Sequence, residues 1–444
     1  MERERMAQAL NSEKIAEYAE KFAADARARI VQNAVTQTPI AKVAEDREVI
    51  NSIDPSMSVK VDKWPVTNQK KSGRCWLFSG LNSFKDAVYA ETGLKNFEFS
   101  QNYQHFYDKL EKANYFLNSM IELADSTSER DDRTVHFLLS DPIGDGGQWN
   151  MFVALVEKYG VVPKYAMPET ESSSNTGAMN RTLEMLLRRA ARDIRNAPAG
   201  EREEIRATTM EQVYRVLAIH LGTPPQKFLW QWEDKDGEFH REGEFTPQEF
   251  ARKYAPNLGE YVCVVNDPRN AYGKLYTVDR LGNVVGAKPV TYLNVPIAVI
   301  RQAVIAELQD GRPVWMGCDT TKQADRDRGI WDGQLYDYEG TYGIDLEMSK
   351  ADELRFGESM MTHAMVFTGV DLVDGQPRRW RIENSWGEGM GDKGFWTMND
   401  SWFDQHVFEI AVPASRLPEE YLPVLETEPA VLPAWDPMGS LARG

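Results

Sequence analysis

The sequence predicts an α+β chain of two lobes, on three observations. An apolar helical stretch opens at Cys75, and further helical patterns follow to about residue 159. After about Tyr261 the chain changes to short runs rich in β-branched and aromatic residues, punctuated by Gly, Asp, Asn and Pro. The 444 residues, 42% hydrophobic and 27% charged, have ordinary globular composition and are enough for a large core. The boundaries expected are an N-terminal helical arm over residues 1–60, a helical lobe over 61–169 and a helical insertion over 170–258. An antiparallel β-barrel-like lobe over 259–412 and a C-terminal arm over 413–444 complete the chain.

Each element has its own signal. Ile15, Tyr18, Ala19, Phe22 and Ala26 recur at threes and fours, which predicts an amphipathic packing helix within residues 12–35 that starts near Ser12. Leu77, Leu81, Phe84 and Val88 form the buried stripe of a helix that begins at Cys75 and stops at Gly93. Helices are expected over residues 100–124 and 148–159. In the insertion, Leu183, Leu186, Leu187, Ala190 and Ile194 mark one face of a very basic helix; Ile205, Met210, Val213, Leu217 and Ile219 suggest a second. Thr246-Pro247-Gln248-Glu249 reads as a capping box with proline at the first helical position. Strands are expected over residues 262–265, 275–278, 314–316, 365–370, 380–384 and 394–398, with a helix over 297–308. The proline-rich tail is expected to be an extended arm.

Composition narrows the function classes. The net charge of -17 argues against a broad nucleic-acid surface. No apolar run approaches the roughly 20 residues of a membrane helix. The opening M-E-R-E-R-M-A-Q has no apolar signal core, so no secretory address is expected. Three cysteines, Cys75, Cys263 and Cys318, are too few and odd for a disulfide framework. There is no C-x-x-C or H-E-x-x-H, and the six histidines lack metal-ligand spacing, so neither metal nor organic cofactor is expected.

One constellation carries chemistry. Taken alone, Cys75 is a small buried hydrophobe, but a helix N-terminus and a neighbouring imidazolium can lower a thiol's pKa and make it a nucleophile. Gln69 lies six residues earlier, on a loop from which its amide can donate to an oxyanion beside the Cys75 N–H. Far downstream, M-T-H-A-M-V-F and R-I-E-N-S-W-G are strand-like. Trp380, Ile382 and Asn384 share a face by period-two alternation. Asn384 can therefore accept from one ring nitrogen of His363 and turn the other towards sulfur.

These motifs resemble the papain superfamily, and in particular its cytosolic aminopeptidase C and bleomycin hydrolase branch. The likeness runs from V-T-N-Q-K-K-S-G-R-C-W to W-D-P-M-G-S-L-A and takes in D-G-G-Q-W-N-M, N-D-P-R-N, Y-L-N-V-P, G-C-D, G-E-S-M-M-T-H-A-M and E-N-S-W-G. It implies a papain-like two-lobe fold with Cys75 as nucleophile, His363 as base and then acid, Asn384 as the histidine's orienter and Gln69 as oxyanion donor. It further implies that Trp386 covers the His363–Asn384 hydrogen bond and that Gly146 and Gly147 pair with the substrate main chain. Ser72 stands where secreted relatives have a disulfide cysteine, which fits a reducing, cytoplasmic compartment. Arg74 adds positive charge just before the nucleophile. Cys263 and Cys318 match no catalytic motif and read as core.

The resemblance implies an intracellular cysteine aminopeptidase of broad specificity, with bleomycin-hydrolase-like amide hydrolysis included, assembled as a homohexamer and acting on peptides. Its tail implies a C-terminal arm in the cleft, ending at Ala442 with a free carboxylate once Arg443 and Gly444 are removed. Residue chemistry alone reaches thiol-dependent acyl transfer. A thiol amidase or acyltransferase on small amides, and an assembly protein with a vestigial site, are the other readings.

Overall fold

The computed structural model describes residues 9–61 and 64–443. The opening Met1–Gln8 stretch and Gly444 lie outside the described residues. Leu77, Leu81, Phe84 and Val88 are all buried, and they span two helices, Cys75–Asn82 and Lys85–Thr92, where the periodicity suggested one. Gly93 ends the second in the left-handed conformation (φ 63°). Ser100 caps the 22-residue helix Gln101–Glu122 by accepting the Tyr103 N–H. Helices Glu129–Ser140 and Trp149–Tyr159 complete the helical lobe.

The strands form one sheet of mixed direction. Its order is Ala430–Leu432, Lys274–Val278, Tyr292–Asn294, Tyr261–Val265, Val407–Pro413, Val314–Cys318, His363–Val373, Gln376–Glu383, Phe395–Asn399, Ile330–Trp331 and Ala324–Asp325. Val59–Lys60 pairs additionally with His363–Val373. Most neighbours are antiparallel; the exceptions include Tyr261–Val265 with Tyr292–Asn294 and Phe395–Asn399 with Ile330–Trp331.

Period-two alternation sends the central strands' side chains into two cores. Met316, Cys318, Met365 and Phe367 pack with Ile300, Val304 and Leu308 of helix Ile297–Gln309. Trp315 and Ala364 instead join the core that contains Cys75, Trp76 and Leu77. The sheet's second face is thus the surface on which the helical lobe sits.

Three segments depart from expectation. The insertion is not wholly helical: helices Gly177–Asn196 and Arg202–Leu221 are followed by a hairpin, Phe228–Glu233 with Phe239–Phe245. Leu183, Leu187, Ala190, Ile194, Val213 and Leu217 are buried, whereas Ile219 is 72% exposed because Leu221 takes the inward position. The Thr246 capping box forms as expected, with both of its hydrogen bonds and Pro247 in the first turn.

At the N-terminus, Asp25 ends helix Ser12–Ala24 and caps helix Ala26–Val35. The stripe of Ile15, Tyr18 and Phe22 remains exposed (54%, 49% and 43%) instead of packing on this chain.

The tail is not a plain extended arm. It makes 3₁₀ turns at Ala414–Arg416, Glu419–Glu426 and Pro437–Ala442, and Ala430–Leu432 adds a parallel edge strand to Lys274–Val278. Pro-rich chain lacks donors for α-helix but tolerates short turns and a sheet edge. Among the described residues no helix is long and apolar enough to cross a membrane.

Candidate active site

Cys75 is the first residue of its helix, so its side chain meets unpaired backbone amides. Its sulfur accepts the N–H of Ala364 at 3.4 Å. One helical turn on, Ser79 Oγ donates to the Ala364 carbonyl at 2.9 Å. The helix therefore grips both polar groups of one residue in the opposite lobe, and the preceding residue in that strand is His363.

His363 Nε2 lies 2.9 Å from Asn384 Oδ1. With Asn384 accepting, Nε2 carries the proton and Nδ1 is the nitrogen that can take one from sulfur. The Trp386 ring lies over this pair, its centroid 4.8 Å from the His363 ring and tilted by 38°. Asn384 follows directly after strand Gln376–Glu383 and is buried.

Gln69 is buried, and its amide orientation is fixed at both ends. Oε1 accepts from Ser385 Oγ at 2.6 Å, and Nε2 donates to the Ser72 carbonyl at 2.6 Å. The Gln69 N–H also donates to the Ser385 carbonyl at 2.8 Å. Ser385 N–H donates to Asn384 Oδ1 at 2.7 Å. Ser385 is thus a joint between Gln69 and Asn384. Sequence reasoning assigned it no role, although it stands inside the E-N-S-W-G motif; its hydroxyl's target comes from 316 residues away.

Gly146 and Gly147 are buried beside the nucleophile's helix. A Cβ on Gly147 would fall 2.4 Å from Trp76 Cε2, so glycine is required here by the Trp76 indole. That indole donates to the Asp145 carbonyl at 2.7 Å. The Asp145 carboxylate accepts from Gly73 N–H (3.1 Å) and Asn180 (2.8 Å) and pairs with Lys109 (2.7 Å). Asp145, also missed from sequence, ties the glycine pair to the loop before Cys75 and to the insertion.

Arg74 does not add charge to the sulfur. It is fully buried and makes a two-pronged bond to Glu169 (3.0 and 2.7 Å), while its Nε donates to Ser72 Oγ at 2.9 Å.

The titration of the pair also differs from expectation. Burial pushes the Cys75 thiol up to about 11, against the pull of the Ala364 N–H and the helix's first amides. Burial brings His363 down to about 4, opposed by its Asn384 hydrogen bond. Desolvation outweighs the helix terminus for either charge alone, so thiolate and imidazolium form together, by one proton passing from sulfur to Nδ1. Cys263 and Cys318 are buried core thiols, and burial raises both well above the ordinary value.

The tail reaches the interlobe region. The Met438 carbonyl accepts from Tyr292 Oη (3.1 Å) and Gln148 Nε2 (3.3 Å), and Ser440 Oγ donates to the Met361 carbonyl (2.8 Å). Ala442 ends the last 3₁₀ turn, half-buried. Arg443 then turns onto the helical lobe: its guanidinium lies 3.8 Å from the Phe137 ring centroid and donates to Ser140 Oγ at 2.6 Å.

Known proteins resemble this chain over nearly its whole length. Residues 9–439 match the Peptidase C1-like family. Bleomycin hydrolase of Rattus norvegicus is 42% identical over 449 residues, covering 98% of this chain and 99% of that protein. Aminopeptidase C of Lactobacillus delbrueckii subsp. lactis is 42% identical over 424 residues, covering 93% and 94%. The crystal structure of PepW from Lactobacillus rhamnosis HN001 superposes with a TM-score of 0.94 at 40% identity, covering 98% of this chain and 99% of that one. With its papain-like two-lobe fold, the chain belongs to the Peptidase C1-like family.

Proposed function

We propose that this protein is a cysteine aminopeptidase that removes N-terminal residues from peptides through a thioester acyl-enzyme. The observation that carries the reading is the joining of Cys75 and His363 through Ala364, with Asn384 holding Nε2. The relatives named aminopeptidase C and bleomycin hydrolase support the reaction class.

Proton transfer to His363 Nδ1 frees the sulfur to attack a peptide carbonyl. The oxyanion is met by the Cys75 N–H and the second Nε2 hydrogen of Gln69, held in place by Ser385. His363 then protonates the leaving amine and next activates the water that cleaves the thioester. Trp386 shields the His363–Asn384 bond, and Gly146 and Gly147 offer main-chain contacts to the substrate. The tail lies where residues preceding the acylated one would run, which limits cleavage to the N-terminal residue. Ala442, once exposed as the terminus, supplies the anion for the substrate's ammonium.

The domain division follows the same reading: arm, helical lobe, insertion, β lobe and tail. We place the protein in the cytoplasm as a homohexamer. The unburied Ile15–Tyr18–Phe22 stripe and the basic helix Gly177–Asn196 are surfaces that neighbouring subunits would cover. The test is a panel of matched peptides with free and acetylated N-termini. Cleavage of the free series alone, lost on Cys75→Ala, is expected; equal cleavage of both series would refute the exopeptidase assignment.

A further inference from the structure

The leaving amine takes its proton from His363, so the departing part of a substrate starts its path beside that imidazole and the Trp386 ring. A cation stands over the same ring. The Arg326 guanidinium carbon lies 5.2 Å from the Trp386 centroid, and the His363 ring lies 4.8 Å from it. The path from imidazole to guanidinium therefore spans at most about three extended residue lengths of ~3.5 Å. The hydrogen bond from His363 to the leaving nitrogen takes up the first of these. A carboxylate one or two residues further on reaches the cation.

The segment that carries Arg326 is fixed, while its side chain is uncommitted. Arg326 stands in the turn between strands Ala324–Asp325 and Ile330–Trp331. Arg328 closes that turn: its N–H and guanidinium donate to the Asp325 carboxylate (2.9 and 2.5 Å), and the guanidinium also donates to Glu45 (2.9 Å). Trp331 stacks on Trp396 (4.2 Å between centroids, 28°), and Trp396 meets the Trp386 ring edge-on (5.3 Å, 76°). A row of three indoles thus sets the turn against the site. Arg326 itself is exposed, and among the described residues it has neither a hydrogen-bond acceptor nor a carboxylate partner.

Two consequences follow for a substrate. The chain's net charge of -17 disfavours the approach of anionic peptides, and a cation beside the leaving side offsets this locally. Burial, and after it the Arg326 charge, works against protonation of His363. A carboxylate seated on Arg326 removes the second influence and so favours the imidazolium as well as holding the substrate.

We propose that Arg326 is a specificity residue on the leaving side: with its face on the Trp386 indole, it receives a carboxylate one or two residues beyond the scissile bond. It thereby directs the protein towards peptides that end there or carry Asp or Glu there. The proposal deepens the aminopeptidase reading and rests on it.

The test follows the initial release of the N-terminal Ala from four peptides. These are Ala-Ala-Ala as free acid and as C-terminal amide, and the C-terminal amides of Ala-Ala-Glu and Ala-Ala-Gln. The unaltered chain is compared with Arg326→Ala and Arg326→Glu. The expected result for the unaltered chain is kcat/KM at least about fivefold higher for acid over amide and for Glu over Gln. Both ratios should be about one in Arg326→Ala and below one in Arg326→Glu. A preference in the first pair alone would identify the terminal carboxylate of short peptides as the ligand, and in the second pair alone the acidic side chain. Ratios of about one in the unaltered chain would overturn the proposal. So would ratios that both variants retain, the result expected if Arg326 only packs on Trp386 and its loss slows all four peptides alike. The aminomethylcoumarin amide of Ala, which offers no carboxylate on the leaving side, checks the peptidase reading separately. Failure of the unaltered chain to cleave it would overturn that reading and this proposal with it.

Discussion

Arg74→Ala tests whether the residue before the nucleophile serves the fold or the sulfur. The guanidinium is buried against Glu169, with Phe78 beneath it at 5.1 Å. Burial alone would raise the Glu169 carboxyl, yet the hydrogen bonds and charge of Arg74, helped by the Ser173 hydroxyl, hold it below its ordinary value. Truncating one partner of such a pair leaves a charge without compensation and costs about 3–5 kcal/mol. Replacing both, as Arg74→Met with Glu169→Leu, should recover most of that loss, because a buried pair replaced by apolar groups of similar volume is near neutral. The assay is urea denaturation of the wild type, Arg74→Ala and the Arg74→Met, Glu169→Leu double variant, with the pH dependence of Cys75 alkylation measured on the folded protein. A large stability loss with an unmoved alkylation profile is expected for Arg74→Ala. A profile displaced by ~1 pH unit, with less than ~1 kcal/mol of stability lost, would show the guanidinium acting on the sulfur and refute this account.

Iodoacetamide at neutral pH should modify Cys75 well before Cys263 or Cys318 and abolish activity; equal labelling in peptide maps would count against Cys75 as nucleophile. Gln69→Ala should lower kcat on the order of 10- to 1000-fold with less effect on KM, and Asn384→Ala should cost less turnover than His363→Ala; an unchanged kcat would remove Gln69 from the mechanism. Intact mass should be lighter than the full sequence by Arg plus Gly in the wild type but not in Cys75→Ala, whereas a retained C-terminus would exclude trimming at Ala442. Burial lowers His105 well below its ordinary value and His363 and His406 to about 4, so between those values and about 6.5 the unfolded chain binds up to three more protons. Glu409, raised to about 8 by burial, offsets one of these; stability should therefore fall by about 2 kcal/mol per pH unit on average on acidification from about pH 6.5 to 5, most steeply near pH 5, and a flat urea-midpoint profile there would contradict it.

Local rules located much of this fold. The Leu77–Leu81–Phe84–Val88 stripe, the Thr246 box and the strand holding His363 were legible because period, capping chemistry and motif are written in adjacent residues. The hairpin was missed inside a segment judged by its helices, although Phe228, Trp230 and Trp232 alternate before the Asp236-Gly237 turn. Strand Val407–Pro413 was missed as well; it follows helix Asp400–His406 with no turn residue between them, and Glu409 interrupts its apolar run. The motif residues Gln69, Cys75, His363 and Asn384 could be named in advance. Ser385 and Asp145 could not, because what they hold is decided by partners distant in sequence. Periodicity also marks the N-terminal stripe without saying that none of the described residues covers it.

Cys75 and His363 are 288 residues apart and meet on the Ala364 backbone, and this has a consequence during synthesis. In the proposed mechanism a nascent chain carries its reactive sulfur long before the base exists, so it emerges without the means to cut itself or its neighbours. In that mechanism competence arrives only with Asn384, and Leu441 of the tail, which packs beside Gly317, follows 57 residues later. At about 5–20 residues per second that interval is about 3–11 s. The order of the chain thus confines unrestrained cleavage to a short window in the life of each molecule.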